Sequence, residues 1–98
     1  MKIGVVGSGI SGLSAAYYLS KKHQVDLFEK EDHFGGHSHT IDLLIEEKKI
    51  SVDIGFIVFN HKTYPNLINF FEENKVHIEK SDMSFAVSVK DTKFEYCG

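Results

Sequence analysis

The chain has 98 residues, a hydrophobic content of 42% and a formal net charge of -3, values that suit one small globular unit with a core and argue against disorder. The acidic balance gives no electrostatic case for nucleic acid or an anionic membrane as partner. All 11 basic residues are lysines, so any phosphate must be held by backbone N–H groups, Lys, His or hydroxyls, the bidentate guanidinium fork being absent.

Lys2 to Val6 is short, apolar and β-branched, and reads as a buried parallel strand. Glycines 4, 7, 9 and 12 break up the apolar run, so strand plus turn is the better reading than a signal peptide. No run approaches the ~18 apolar residues of a membrane span. Leu13 to about Lys22 follows as a helix with Leu13, Ala16, Tyr17 and Leu19 on one side, and Gln24 to Lys30 as a second strand ending in Glu29.

The turn between them, Val5-Val6-Gly7-Ser8-Gly9-Ile10-Ser11-Gly12, has the G-x-G-x-x-G spacing. Such spacing alone is weak, but here it follows a strand, opens a helix and has a carboxylate about 20 residues on, the context that the motif requires. Gly7 permits the tight turn, Gly9 the approach of a pyrophosphate and Gly12 close helix–strand packing. The N–H groups of the helix start face the diphosphate, and Glu29 accepts from ribose hydroxyls while disfavouring a 2′-phosphate. Dinucleotide binding is the reading.

A polar loop with a second glycine pair, Gly35-Gly36, comes next. Two alternating segments then form a hairpin, Ile41, Leu43, Ile45 and Ile50, Val52, Ile54, with Glu46 to Lys49 turning between them. A nicotinamide-binding domain would usually continue with βα units; a second backbone-exposing turn so near the ribose site suggests a longer ligand path. A helix follows, with Thr63 as N-cap and Pro65 in its first turn. Its Tyr64, Leu67, Ile68, Phe71 stripe reads as a core face. Phe85, Val87 and Val89, then Phe94 and Tyr96, alternate around a Lys90–Thr92 turn. A shift from α/β to antiparallel character near Lys80 divides residues 1–80 from residues 81–98.

The motifs GSGISGLSAAYYL, FEKEDHFGGHSHT and VDIGFIVFNHKTYPNLINFFEENKV resemble the flavin-containing amine oxidase superfamily over nearly the whole chain. DIGFIVFN and SDMSFAVSV are most similar to a bacterial branch of NAD/FAD-binding, amine-oxidase-like proteins. The resemblance implies FAD as cofactor. Gly7, Ser8, Gly9, Ile10, Ser11 and Gly12 would hold its diphosphate, and Glu29, with Lys30 beside it, the adenosine ribose. Gly36, His37 and Ser38 would line the diphosphate and ribityl path, and Gly55, Phe56 and Ile57 would lie against the isoalloxazine. One departure stands out: the two arginines that flank the family's glycine pair are His33 and His37 here. Anchoring by His37 is weaker than by arginine and depends on its protonation.

His33, His37 and His39 have no carboxylate or Cys set to complete a metal site and read as solvated or phosphate-facing. Asp53 reads as stabilising the turn before Gly55 through local backbone hydrogen bonds. Phe56 and Phe59 suit core packing and flavin or substrate contact equally. The single Cys97 excludes an internal disulfide and fits a reducing compartment; a cytoplasmic protein is expected.

The fold class expected is α/β: a Rossmann-like FAD-binding βαβ start with an inserted hairpin, leading into an antiparallel substrate domain. In this family a late strand and glycine-acid turn close the FAD domain. Their absence leads to the expectation of an N-terminal fragment, inactive alone, of an FAD-dependent oxidoreductase. That parent takes a hydride from a C–N or C–C bond of an unidentified small-molecule substrate. No catalytic residue can be named within the chain. The alternatives are a non-catalytic nucleotide-binding module and an NAD-dependent oxidoreductase.

Overall fold

The structure is a computed structural model and describes residues 1–97; Gly98, the last residue of the expected second segment, lies outside the described residues. β1 (Lys2–Val6) and β2 (Gln24–Phe28) pair in parallel, with Lys2 opposite Gln24 and Val6 opposite Phe28. Parallel neighbours need a crossover, and α1 (Ile10–Ser20) supplies it. Leu13, Ala16, Tyr17 and Leu19 are half-buried, as their spacing predicts, and so are Gly12 and Ser14.

α1 begins three residues earlier than the periodicity suggests. The chain reverses at Gly7, whose φ is 94°, and Gly9 is the extended N-cap (φ -67°, ψ -179°), so helical geometry starts at once with Ile10. Gly12 therefore lies inside the helix despite its poor propensity. Packing requires it there, because a Cβ at Gly12 would overlap the Gly7 carbonyl oxygen. β2 stops at Phe28, short of Lys30: the Phe28 carbonyl accepts from Gly7 N–H at 2.7 Å, and the chain then turns away.

β3 (Thr40–Ile45) and β4 (Lys48–Asp53) form an antiparallel hairpin. Ile41 faces Val52 and Leu43 faces Ile50 on one side, while Asp42 faces Ser51 on the other and accepts its hydroxyl at 2.6 Å. The turn is shorter than expected, only Glu46-Glu47, with φ of 49° and 64°. Two-residue hairpin turns demand such values to match strand twist. Asp53 does not stabilise a local turn: its carboxylate accepts the Thr40 hydroxyl across the hairpin. Ile54 lies past the strand, with its N–H on the His39 carbonyl at 2.8 Å.

α2 (Pro65–Glu73) starts on Tyr64 with Pro65 in its first turn. Thr63 is not its cap; the Thr63 hydroxyl and N–H both point at Asn60 Oδ1, at 3.0 and 2.8 Å, closing a turn just upstream. α2 docks on α1 through Tyr17 against Phe70, edge to face at 5.5 Å, and through Glu73, which accepts from Lys21 Nζ at 3.2 Å and Tyr18 Oη at 3.4 Å. β5 (Ala86–Ser88) and β6 (Glu95–Cys97) form a third pair, antiparallel and separate from the other two.

The self-contained core that the composition suggests is small. Ile68, Ser8 and Gly35 are the buried residues among those described, and Val6 is 86% exposed. The radius of gyration is 18.3 Å, against about 13 Å for a compact chain of this length. No helix among the described residues is long and apolar enough to cross a membrane.

Candidate functional site

Three segments converge at the C-terminal end of the parallel strands. The first is the Gly7–Gly12 turn. The second is the Gly35–Gly36 turn, docked on the first by Gly35 N–H donating to the Ser8 carbonyl at 2.8 Å. Gly36, at φ 59°, comes so near Gly9 that a Cβ on it would sit 3.0 Å from the Gly9 Cα. The third is the stretch after β4, tied to the second by Phe56 N–H donating to the His37 carbonyl at 2.7 Å.

Together they border a cavity of about 660 Å³, within the ~300–1,000 Å³ usual for small-molecule sites. Gly7, Gly9, Ile10, Ser11, Gly12, Gly36, His37, Ser38 and Phe56 line it. Five other sequence-expected residues do not. Ser8 is wholly enclosed beneath the turn. Glu29 is turned toward Ser8, accepting its backbone N–H at 2.7 Å and its hydroxyl on the same oxygen, Oε2. Lys30 is exposed and 3.9 Å from Glu31. Gly55 packs on the His37 carbonyl, where a Cβ would overlap the oxygen, and so supports the loop from behind. Ile57 faces a second cavity beyond Phe56.

Tyr64, Leu67 and Phe71 add a wall that the sequence reading assigned to the core. Their i, i+3, i+7 spacing marks an apolar face of α2 but not what it covers; of that stripe only Ile68 is buried. Gly35 and Val6 complete the lining. Phe56 lies between the two cavities, 6.0 Å from the Tyr64 ring and 6.5 Å from that of Phe59, so it serves both the packing and the site.

The electrostatics suit an anionic ligand carrying hydroxyls. The first N–H groups of α1, at Ile10, Ser11 and Gly12, have no partner inside the helix and border the cavity. Nothing lies within 4 Å of where a Gly9 Cβ would project, which leaves a cradle for a diphosphate against bare backbone. Glu29 is held down to about 2, foremost by the Ser8 hydroxyl and then by the N–H groups of Glu31 and Ser8, and so is ionised throughout the ordinary pH range. His33 and His39 stack face to face, ring centroids 4.0 Å and planes 11° apart, and His33 Nδ1 lies 3.4 Å from Asp32 Oδ1.

A parallel strand pair, a helical crossover, a glycine turn and a carboxylate after the second strand define a dinucleotide-binding α/β protein. The profile of the NAD(P)-binding Rossmann-like domain family matches residues 5–73, and the chain belongs to that family. It is 55% identical to the 1-hydroxycarotenoid 3,4-desaturase of Flavobacterium sp. over 40 residues, 40% of this chain and 8% of the desaturase. An uncharacterized protein of Methanocaldococcus jannaschii, MJ1488, is 53% identical over 36 residues, 37% of this chain and 9% of its own length. The matched stretches thus span less than a tenth of either relative.

Proposed function

We propose that the chain is the FAD-binding, N-terminal portion of a flavin-dependent oxidoreductase. The observation that carries the choice of FAD over a nicotinamide nucleotide is the Gly35 N–H bond to the Ser8 carbonyl. It sets a second glycine turn beside the first, so one cavity runs from the helix start past Gly36 and Ser38 to Phe56. A diphosphate on α1 would then continue along the second turn, where a ribityl chain and an apolar ring system would lie. The first-turn N–H groups of α1 would hold the diphosphate and Glu29 a ribose hydroxyl. His37 would add a hydrogen bond from the second turn, and Phe56 an apolar surface for the ring.

Bound flavin supplies hydride acceptance, and the protein's part is to bind, orient and exclude water. Residues 1–80 would form this cofactor portion. Residues 81–98 would begin a substrate-binding part, a reading supported by the separate pairing of β5 with β6. Hydride removal from a C–H bond, with loss of a proton as a C–N or C–C single bond becomes a double bond, is the reaction class; the desaturase match supports the C–C form. Scarce burial and an extended shape support the reading that this portion binds cofactor without turning over substrate. Cytoplasmic location remains part of the proposal.

The test is to load the purified protein with FAD or with NAD⁺, pass it through gel filtration and measure bound nucleotide. Retention of FAD in preference to NAD⁺, with no oxidation of amine or polyene substrates, is expected. Preferential retention of NAD⁺ would replace the flavin reading with the nicotinamide one.

A further inference from the structure

α2 supplies three residues of the cavity wall, Tyr64, Leu67 and Phe71, and meets α1 where the C-terminal ends of the two helices converge. There Tyr17 and Tyr18 face Phe70, with ring centroids 5.5 and 6.1 Å apart. Lys21, the C-cap of α1, donates to Glu73 Oε2 at 3.2 Å, and the Tyr18 hydroxyl donates to Oε1 at 3.4 Å. The Lys21 ammonium also stands 4.7 Å from the Tyr17 ring centroid and 4.9 Å from that of Tyr18. Toward their N-terminal ends the helices border a gap of about 430 Å³, edged by Ile10 and Ser14 of α1 and by Asn66 and Leu67 of α2. Ile10 and Leu67 border the nucleotide cavity as well. The N-terminal half of α2 is thus a partition with space on both sides, and its place is set from the far end.

A cation is what that far end requires. Helix C-termini carry partial negative charge. α1 and α2 bring theirs together, and Glu73 adds a full charge at the last residue of α2. Neither helix has a basic residue in its last turn. Lys22 and Lys75 flank the two ends, but Lys21 is the lysine paired with Glu73. Its ammonium is held above the ordinary lysine range, foremost by the bond to Glu73, and the two tyrosine faces attract the same charge.

We propose that Lys21 and Glu73 are a positioning pair for the cofactor: their clasp fixes α2 so that Tyr64, Leu67 and Phe71 lie along the nucleotide cavity. This rests on the flavin reading above, in which the ring system lies at the Phe56 end. The Tyr64 ring is 6.0 Å from that of Phe56, so α2 walls that end. The diphosphate cradle is the backbone of the Gly7–Gly12 turn and makes no use of α2. Releasing the clasp therefore weakens the hold on the flavin half of the ligand and spares the ADP half.

The experiment compares FAD and ADP binding by calorimetry for the wild type, Lys21→Met, Glu73→Gln, the double variant of these two, and Lys21→Arg. Both partners are half-exposed, so the effect is modest. FAD affinity is expected to fall about three- to tenfold in Lys21→Met and in Glu73→Gln, while ADP affinity is unchanged. The double variant loses about as much as Lys21→Met alone, because both changes undo one clasp. Lys21→Arg keeps a cation over the tyrosines and a donor for Glu73, and retains the FAD affinity. A merely structural weakening would lower both ligands together. Equal losses for FAD and ADP, no loss for either, additive losses in the double variant, or a Lys21→Arg protein as weak as Lys21→Met each overturn the inference. A wild type that binds FAD no more tightly than ADP overturns the flavin reading itself, and one that binds neither overturns the nucleotide reading. A wild type that prefers FAD, with variants that match it, overturns only the role of the clasp.

Discussion

Gly12 of α1 lies against the carbonyl oxygen of Gly7, near enough that a Cβ on Gly12 would overlap that oxygen. The obstacle is backbone, which cannot rotate aside as a side chain can. Gly12→Ala is therefore expected to push α1 off the β1–β2 pair and to destabilise the protein by about 1–3 kcal/mol. Its improved helix propensity, about 1 kcal/mol, does not offset this. A denaturant midpoint at or above that of the wild type would contradict the packing.

Gly9, three residues earlier, gives the opposite expectation. A Cβ there meets nothing within 4 Å, and φ is -67°, open to any residue. Gly9→Ala should leave stability within about 0.5 kcal/mol yet weaken FAD binding by about tenfold or more, because the methyl enters the diphosphate cradle. Thermal melts and flavin titrations on the same sample separate the two effects. Unchanged affinity would place the diphosphate elsewhere.

The acid limit of the site follows from Glu29. Its folded value of about 2 lies below the ordinary value of 4.5, so folding favours the ionised form. The stabilisation from the Ser8–Glu29 bonds is complete above the unfolded value and fades as pH falls through the folded one. Carboxyl NMR signals should therefore show Glu29 titrating well below the ordinary carboxylate range. A midpoint in the ordinary range would mean that the Ser8 bonds are not formed.

The hairpin turn holds two glutamates at positive φ, 49° and 64°, a region that costs an L-residue about 1 kcal/mol or more. Glycine at the second position removes that cost, and its greater freedom in the unfolded chain takes some of the gain back. Glu47→Gly is expected to stabilise the protein by about 0.5–1 kcal/mol in denaturant titrations. A loss of stability would show that the turn adopts another conformation.

The parts of this protein legible in its sequence are those governed by short-range rules. The β1–α1–β2 unit with its glycine spacing, and the alternation of Ile41 and Leu43 with Val52 and Ile50, follow from local geometry and period. The misread features depend on partners that the local pattern does not name. Thr63 has the chemistry of an N-cap, but Asn60 engages its hydroxyl first. Asp53 precedes a turn, yet its partner is Thr40 on the facing strand.

The candidate site divides in the same way. Glycine spacing makes the backbone of Gly7, Gly9, Gly12 and Gly36, which borders the cavity, readable in the sequence. The bond from Ser8 to Glu29 is not readable, since a serine inside a glycine turn carries no sign of what its hydroxyl meets. Nor is the wall formed by Tyr64, Leu67 and Phe71, because an apolar helix face looks the same whether it covers a core or a ligand.

The most direct test of the central claim is a fluorescence titration of FAD with the purified protein, repeated in the presence of excess NAD⁺. Saturable binding at one FAD per chain is expected, only weakly displaced by NAD⁺ and weakened by about tenfold or more in Gly9→Ala. Equal displacement by NAD⁺, or no saturable FAD binding by a folded chain, would contradict it.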